Sequence, residues 1–180
     1  MGIIVNVVQP DSHPELIPYC LLMMSLICME CFFTSFHQGS MRKKIFEPVM
    51  GQFFEVHTRI YESAPQDSGH PDTGSGLYSS KLTYRNWYDF NNAYRVHMNF
   101  VEQLPVILPL ILLASLKTPL ITLFLSVTYF VLRLLYTWGY VKGGPEMRKF
   151  GGIPMSFTKL GLLILAGYTV YSYAKVHYHL

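Results

Sequence analysis

Four apolar stretches, each long enough to cross a bilayer, constrain this 180-residue chain more than any other feature of its sequence. A membrane-spanning helix needs about 20 residues. The stretches run over 15–38, with Leu16 to Phe33 as the apolar heart, then 87–116, 119–141 and 153–176. In lipid a backbone must satisfy its own hydrogen bonds, which excludes open sheets. The later joins are short and rich in helix breakers: Lys117-Thr118-Pro119, then Gly143-Gly144-Pro145 with Gly151-Gly152. Short joins make antiparallel neighbours. The expected fold is an all-α membrane protein: one domain over 1–180, a four-transmembrane-helix antiparallel bundle with both termini on the same side.

Composition agrees. Apolar residues make up 51% and charged residues 14%, against about 25% charged in typical soluble domains. That excludes a disordered chain and argues against a soluble enzyme. Three cysteines cannot build a disulfide framework. A net charge of +3 gives no reason to expect nucleic acid as a partner. No Lys or Arg precedes Arg42, so neither a signal peptide nor an Arg-rich transit peptide is expected. Asn6 stands where a myristoylation site has Ser or Thr.

Charge sets the expected orientation. The long polar loop 39–86 carries Arg42, Lys43, Lys44, Arg59, Lys81 and Arg85, and the third loop carries Lys142, Arg148 and Lys149. The opposite side has Lys117 and Lys175. The positive-inside rule puts the basic loops in the cytosol, or in the matrix of a mitochondrion. Within the long loop, Phe46 to Tyr61 has the mixed character of a short interfacial helix, and Ser63 to Ser80 reads as coil.

The second stretch opens with an unusually polar run from Trp87 to Glu102. At about 100° per residue, Tyr88, Asn91, Asn92, Arg95, Asn99 and Glu102 form one stripe. A cation, an amide and an anion on one face suit a zwitterionic ligand. The alternative is a hydrogen-bond network that ties helices together. The third stretch places Tyr129, Arg133, Tyr136 and Tyr140 on one face at spacings of four, three and four. Arg133 either lies in the membrane or snorkels to its surface. The tyrosines are either site residues or an aromatic belt. Arg148 follows in a Gly/Pro loop, as a site residue or as an ordinary positive-inside arginine.

Other features carry less. Cys28 and Cys31 form a CxxC inside an apolar helix, where cysteines behave as small hydrophobes. Glu30 in the same helix calls for a partner on another helix. His97 lies off the Arg95 stripe, which points to packing or a structural hydrogen bond. His177 and His179 end the chain without an evident third ligand, so no metal site is expected.

Arg95-x-x-x-Asn99-x-x-Glu102 resembles the motif of the MAPEG family, the membrane-associated proteins in eicosanoid and glutathione metabolism. Arg133-x-x-Tyr136-x-x-Gly139-Tyr140 looks like the same family's third-helix signature. Arg148 falls where the microsomal glutathione S-transferase 3 group carries its loop arginine, and Arg42-Lys43-Lys44 resembles that group's basic cluster. The resemblance implies a homotrimer of four-helix protomers with glutathione, as co-substrate, held between neighbours near the cytosolic face. It implies Arg95, Asn99, Glu102, Tyr136, Tyr140 and Arg42 as glutathione ligands, with Asn91 and Arg133 supporting. It implies Arg148 as the catalytic residue that holds the thiolate. The sequence departs from the family in a longer first loop and in Glu30. It also departs in Gln103, where leukotriene-C synthase has a tyrosine.

The leading expectation is therefore a glutathione-dependent transferase or peroxidase acting on lipophilic electrophiles or lipid hydroperoxides, embedded among membrane lipids. Its expected home is the endoplasmic reticulum, the family default, or else a mitochondrial membrane. One alternative is a structural subunit of a larger membrane complex, possibly respiratory. Another is a lipid-binding relative without catalysis.

Overall fold

In a computed structural model, the structure describes residues 10–65 and 72–178. Four long apolar helical spans appear, Pro14–Tyr61, Tyr84–Ser115, Pro119–Met147 and Lys149–His177, and among the described residues there is no strand. The helices are α1 (Ile17–Met50), α2 (Phe54–Tyr61), α3 (Tyr84–Val101), α4 (Leu104–Ser115), α5 (Pro119–Met147) and α6 (Lys149–Tyr178). Large apolar side chains such as Phe124, Phe157 and Ile164 point outward, as expected of surfaces facing lipid rather than water. The chain is an all-α integral membrane protein.

The chain divides into two compact units, Met1–Cys31 with Phe100–Leu180, and Phe32–Asn99. In the first unit, α4, α5 and α6 all touch one another. Its core includes Ile27 of α1, Ile107 and Ile111 of α4, Tyr129 of α5 and Leu162 of α6, each buried. One end is laced by polar contacts. Asp11 donates its N–H to the Lys117 carbonyl at 2.8 Å. The Asp11 carboxylate takes an ion pair from Lys117 at 2.7 Å and a hydrogen bond from Tyr168 Oη at 3.0 Å. The Cys20 thiol points to the Pro119 carbonyl at 3.5 Å. These contacts gather the start of α1, the α4–α5 turn and the later part of α6, so the chain enters and leaves on one side.

In the second unit, Ile45, Phe46 and Phe90 form the core, lined by Met41, Tyr78, Leu82 and Tyr94. The Phe46 and Phe90 rings meet edge to face at 4.9 Å. Two stretches depart from the sequence reading here. The helix expected to end at Gln38 continues as α1 to Met50. Thr34, Gln38, Ile45 and Val49 explain why: they continue its buried stripe at helical spacing. Beyond Met50 a 3-10 turn, Gly51–Phe53, leads into α2. Part of the 63–80 stretch read as coil, 66–71, lies outside the described residues, as do Asn6 and His179.

The second expected span is not one unbroken helix either. α3 ends at Val101 and α4 begins at Leu104, with Glu102 and Gln103 in a turn. Pro105 is the cause. It lacks an N–H and its ring clashes with the carbonyl four residues earlier, at Val101. The span as a whole still holds 32 residues, about 48 Å of helix against about 30 Å of hydrocarbon. Its polar first turns therefore have length to spare beyond the apolar layer.

Candidate functional site

The candidate residues fall in both units. Tyr136, Tyr140, Arg148, Arg133 and Glu102 belong to the first, and Arg42, Asn91, Arg95 and Asn99 to the second.

In the first unit α5 turns Tyr129, Arg133, Tyr136 and Tyr140 inward, each buried. Arg133 does not snorkel: it is 1% exposed. Its guanidinium carbon lies 4.1 Å from the centre of the Phe100 ring and 4.5 Å from that of Tyr136, within cation–π range. The Tyr136 and Tyr140 rings stand 5.8 Å apart. The two tyrosines are packed inside the chain rather than spread on its lipid-facing surface.

The helical run of α5 breaks at Gly144, whose φ of 69° and ψ of −156° only glycine adopts freely. This break folds the chain back, and the exposed Arg148 comes to rest with its guanidinium 5.6 Å from the Tyr140 ring. The turn is tighter than the sequence reading allowed. α6 begins at Lys149, so Gly151 and Gly152 lie inside a helix instead of a loop. A Cβ on Gly151 would stand 2.5 Å from both the Leu132 carbonyl oxygen and the Tyr136 nitrogen. Only glycine lets α6 touch the α5 backbone there. Gly151 thus shapes the site beside Tyr136. Its signal was a Gly-Gly pair that reads equally well as a turn.

Gln103, which stands where some relatives carry a tyrosine, accepts a hydrogen bond from Lys159 Nζ of α6 at 2.9 Å. Glu102 is exposed in the turn between α3 and α4.

In the second unit, α3 buries Phe90, Ala93 and Val96 and leaves Arg95 exposed, with Asn99 half-buried. The polar stripe is thus the outward face of α3, not its core face. His97 meets the Thr34 hydroxyl at 2.9 Å, a hydrogen bond to α1. Arg42 is half-buried with Tyr94 in its electrostatic surroundings, and its Nε has no hydrogen-bond partner. Asn91 is already engaged: its Nδ2 donates to the Trp87 carbonyl at 2.9 Å, and Gly74 packs against its side chain.

A loop knot holds the start of α3. The Asp72 carboxylate accepts the Gly74 N–H at 2.9 Å, the Ser79 N–H at 2.8 Å and the Ser79 hydroxyl. The Trp87 indole N–H donates to the Gly74 carbonyl at 2.8 Å. Burial pushes the Asp72 carboxyl upward, but the hydrogen bonds from Ser79 and Gly74 outweigh it and hold its pKa below the usual value. Among the described residues no group of three or more His, Cys, Asp or Glu could hold a metal ion.

Four apolar spans define a membrane protein, and each of its two units carries polar residues on a spanning helix, α5 in the first and α3 in the second. A model of the MAPEG family matches residues 21–169, and the chain belongs to that family. It is thus a membrane protein of the eicosanoid- and glutathione-related class. Neither a curated protein nor a solved structure matches the chain.

Proposed function

We propose that the chain is a glutathione-dependent membrane enzyme of the microsomal glutathione S-transferase 3 type, a transferase or peroxidase for lipophilic electrophiles or lipid hydroperoxides. The observation that carries this reading is Arg148, folded back over Tyr140 yet exposed to an incoming ligand. Glutathione supplies a thiol, whose anion is the reactive form. A guanidinium stays protonated at any physiological pH, and a nearby cation favours ionisation of an acid. In this reading Arg148 supplies that cation.

The remaining donors match the rest of the tripeptide. Arg95 and Arg42 suit its carboxylates, Glu102 its ammonium group, and Asn99 its peptide groups. Tyr136 and Tyr140 offer hydroxyls, with Asn91 and Arg133 supporting. The exposure of Arg95 and of Glu102, each within its own unit, supports a site closed by a ligand and a second copy of the chain. A homotrimer in the endoplasmic reticulum membrane is the assembly this reading implies. Conjugation forms a bond from the thiolate sulfur to an electrophilic carbon and breaks that carbon's bond to a leaving group, or to the ring oxygen of an epoxide, which takes up a proton. Peroxide reduction oxidises two thiols to a disulfide and yields an alcohol and water.

The test is native mass spectrometry of the detergent-solubilised protein with and without glutathione, followed by kinetics of Arg148→Ala. A trimer that takes up glutathione is expected. Arg148→Ala should lower turnover on the order of 100-fold, the scale for removing one charge-stabilising group, with a much smaller effect on glutathione affinity. Equal loss of both, or no loss, would remove Arg148 from the chemistry.

A second reading, a subunit of a larger membrane complex, is favoured by Val56, Ile60, Tyr61 and Leu77, large apolar residues exposed on the second unit. A single copy inside a large assembly without bound glutathione would select it.

A further inference from the structure

Lys159 is a cation on a helix built for lipid. The fourth span, Lys149–His177, holds 29 residues. About 20 residues cross the hydrocarbon, and any run of that length within the span includes Lys159. The ammonium is tied sideways to a neighbouring element of the same unit: its Nζ donates to the Gln103 side-chain oxygen at 2.9 Å, just before α4. Ionisable groups inside a span meet an opposite charge or a watery cavity. Gln103 is neutral, and among the described residues Lys159 makes no ion pair.

The pair has a definite hydrogen-bonding character. An ammonium has donors and no acceptor, whereas an amide has one acceptor oxygen and an NH2 group. Here the amide oxygen is engaged by the ammonium. The groups left over are the other N–H donors of Lys159 and the NH2 of Gln103, on two half-buried side chains that a ligand can still reach. A cationic, donor-only pair matches an ionised carboxylate, which only accepts.

The surface beyond the pair is apolar. Short joins turn α5 back from α4 and α6 back from α5, so α4 and α6 run the same way, and they touch. About one turn further along each lie Val106 and Leu163, both exposed, with the exposed Leu160 next to Lys159. A single apolar tail anchored at Lys159 has this line to follow. A phospholipid fits it less well, because its bulky head group keeps to the membrane surface.

We propose that Lys159 and Gln103 form a subsite for the carboxylate of a single-chain lipid acid, whose tail lies over Val106 and Leu163. That such a lipid is also the substrate rests on the function proposed above; its binding does not.

The experiment uses the full chain in phosphatidylcholine nanodiscs, without glutathione, at a pH that ionises the acid. Radiolabelled oleic acid, and separately methyl oleate, is exchanged between discs with and without protein. The wild type should hold the acid about tenfold more tightly than the ester, the scale of one hydrogen bond to a charged group. Lys159→Met should abolish that preference, Lys159→Arg should keep most of it, and Gln103→Leu should reduce it. Equal retention of acid and ester by the wild type overturns the proposal and needs no variant to fold. A preference that survives Lys159→Met overturns it too. So does displacement of oleic acid by an equal mole fraction of dioleoylphosphatidylglycerol, which would make the site one for phospholipid. Loss of the wild-type assembly in Lys159→Met, seen by native mass spectrometry, would assign the lysine to a contact between copies instead. A chain that holds the acid but binds no glutathione keeps this subsite and loses the glutathione reading.

Discussion

Arg133 and Arg95 are both arginines on membrane helices, and the protein treats them oppositely. Arg133 is 1% exposed, with its guanidinium against the Phe100 and Tyr136 rings. Arg95 is exposed on the outward face of α3, whose buried side is Phe90, Ala93 and Val96. The difference is burial within the chain. A bare charge buried there costs several kcal/mol, so Arg133 must be satisfied by its own chain, whereas the exposed Arg95 stays open to water or to a ligand.

The largest expected effect breaks the closed side of this comparison. Arg133→Ala removes a buried side chain packed against the Phe100 and Tyr136 rings and should cost about 2–5 kcal/mol of stability, the scale for a large-to-small core substitution. Thermal unfolding in detergent checks it. A melting temperature equal to the wild type would mean that the fold does not depend on Arg133.

Gly151→Ala probes the same side with a single methyl. The new Cβ meets backbone atoms of α5, which cannot move aside as a side chain can. Overpacking of this kind costs about 1–3 kcal/mol. Gly167 on the same helix is the control, since nothing lies within 4 Å of its added Cβ. Gly167→Ala should be neutral or stabilising by up to about 1 kcal/mol. Equal melting temperatures for the two variants would refute the close approach at Tyr136.

These tests also mark where the sequence was legible. Local periodicity was: Tyr129, Arg133, Tyr136 and Tyr140 share one face because 3.6 residues make a turn, wherever the helix sits. The four spans were legible too, from the length of their apolar runs. Non-local facts were not. Nothing within α3 tells that His97 meets Thr34 of α1, because pairing between helices leaves no period. The outward direction of the Arg95 stripe was equally hidden, since periodicity groups a face without saying what it faces. Pro105 did carry a signal, and it ends α3 before Glu102, but a smooth hydropathy run masks such a break. Gly151 is ambiguous by nature, because a turn and a close helix contact ask for the same residue.

On the open side the effects shrink. Arg95→Ala should weaken glutathione binding about tenfold, equivalent to about 1.4 kcal/mol, while leaving the melting temperature within about a degree or two. Isothermal titration beside a thermal melt reads both. A large loss of stability would show that Arg95 serves the fold, and the contrast with Arg133 would collapse.

The smallest effect concerns what anchors the open face. Asp72 ties Gly74 and Ser79 together, and Trp87 hangs from Gly74, so the loop steadies the first turn of α3. The Asp72 pKa is lowered in the folded state. A lowered carboxyl contributes stability above its unfolded pKa of about 3.9 and loses it as pH falls through the folded value. Hydrogen exchange at the Gly74 and Ser79 amides, corrected for intrinsic rates, should therefore show full protection near neutrality. Protection should fall as the pH drops below the usual carboxylate range, while amides of α5 keep theirs. In Asp72→Asn the two amides should exchange faster at neutral pH, and the acid-dependent step should vanish. If the step persists in that variant, another group titrates, and the knot is not what holds the start of α3.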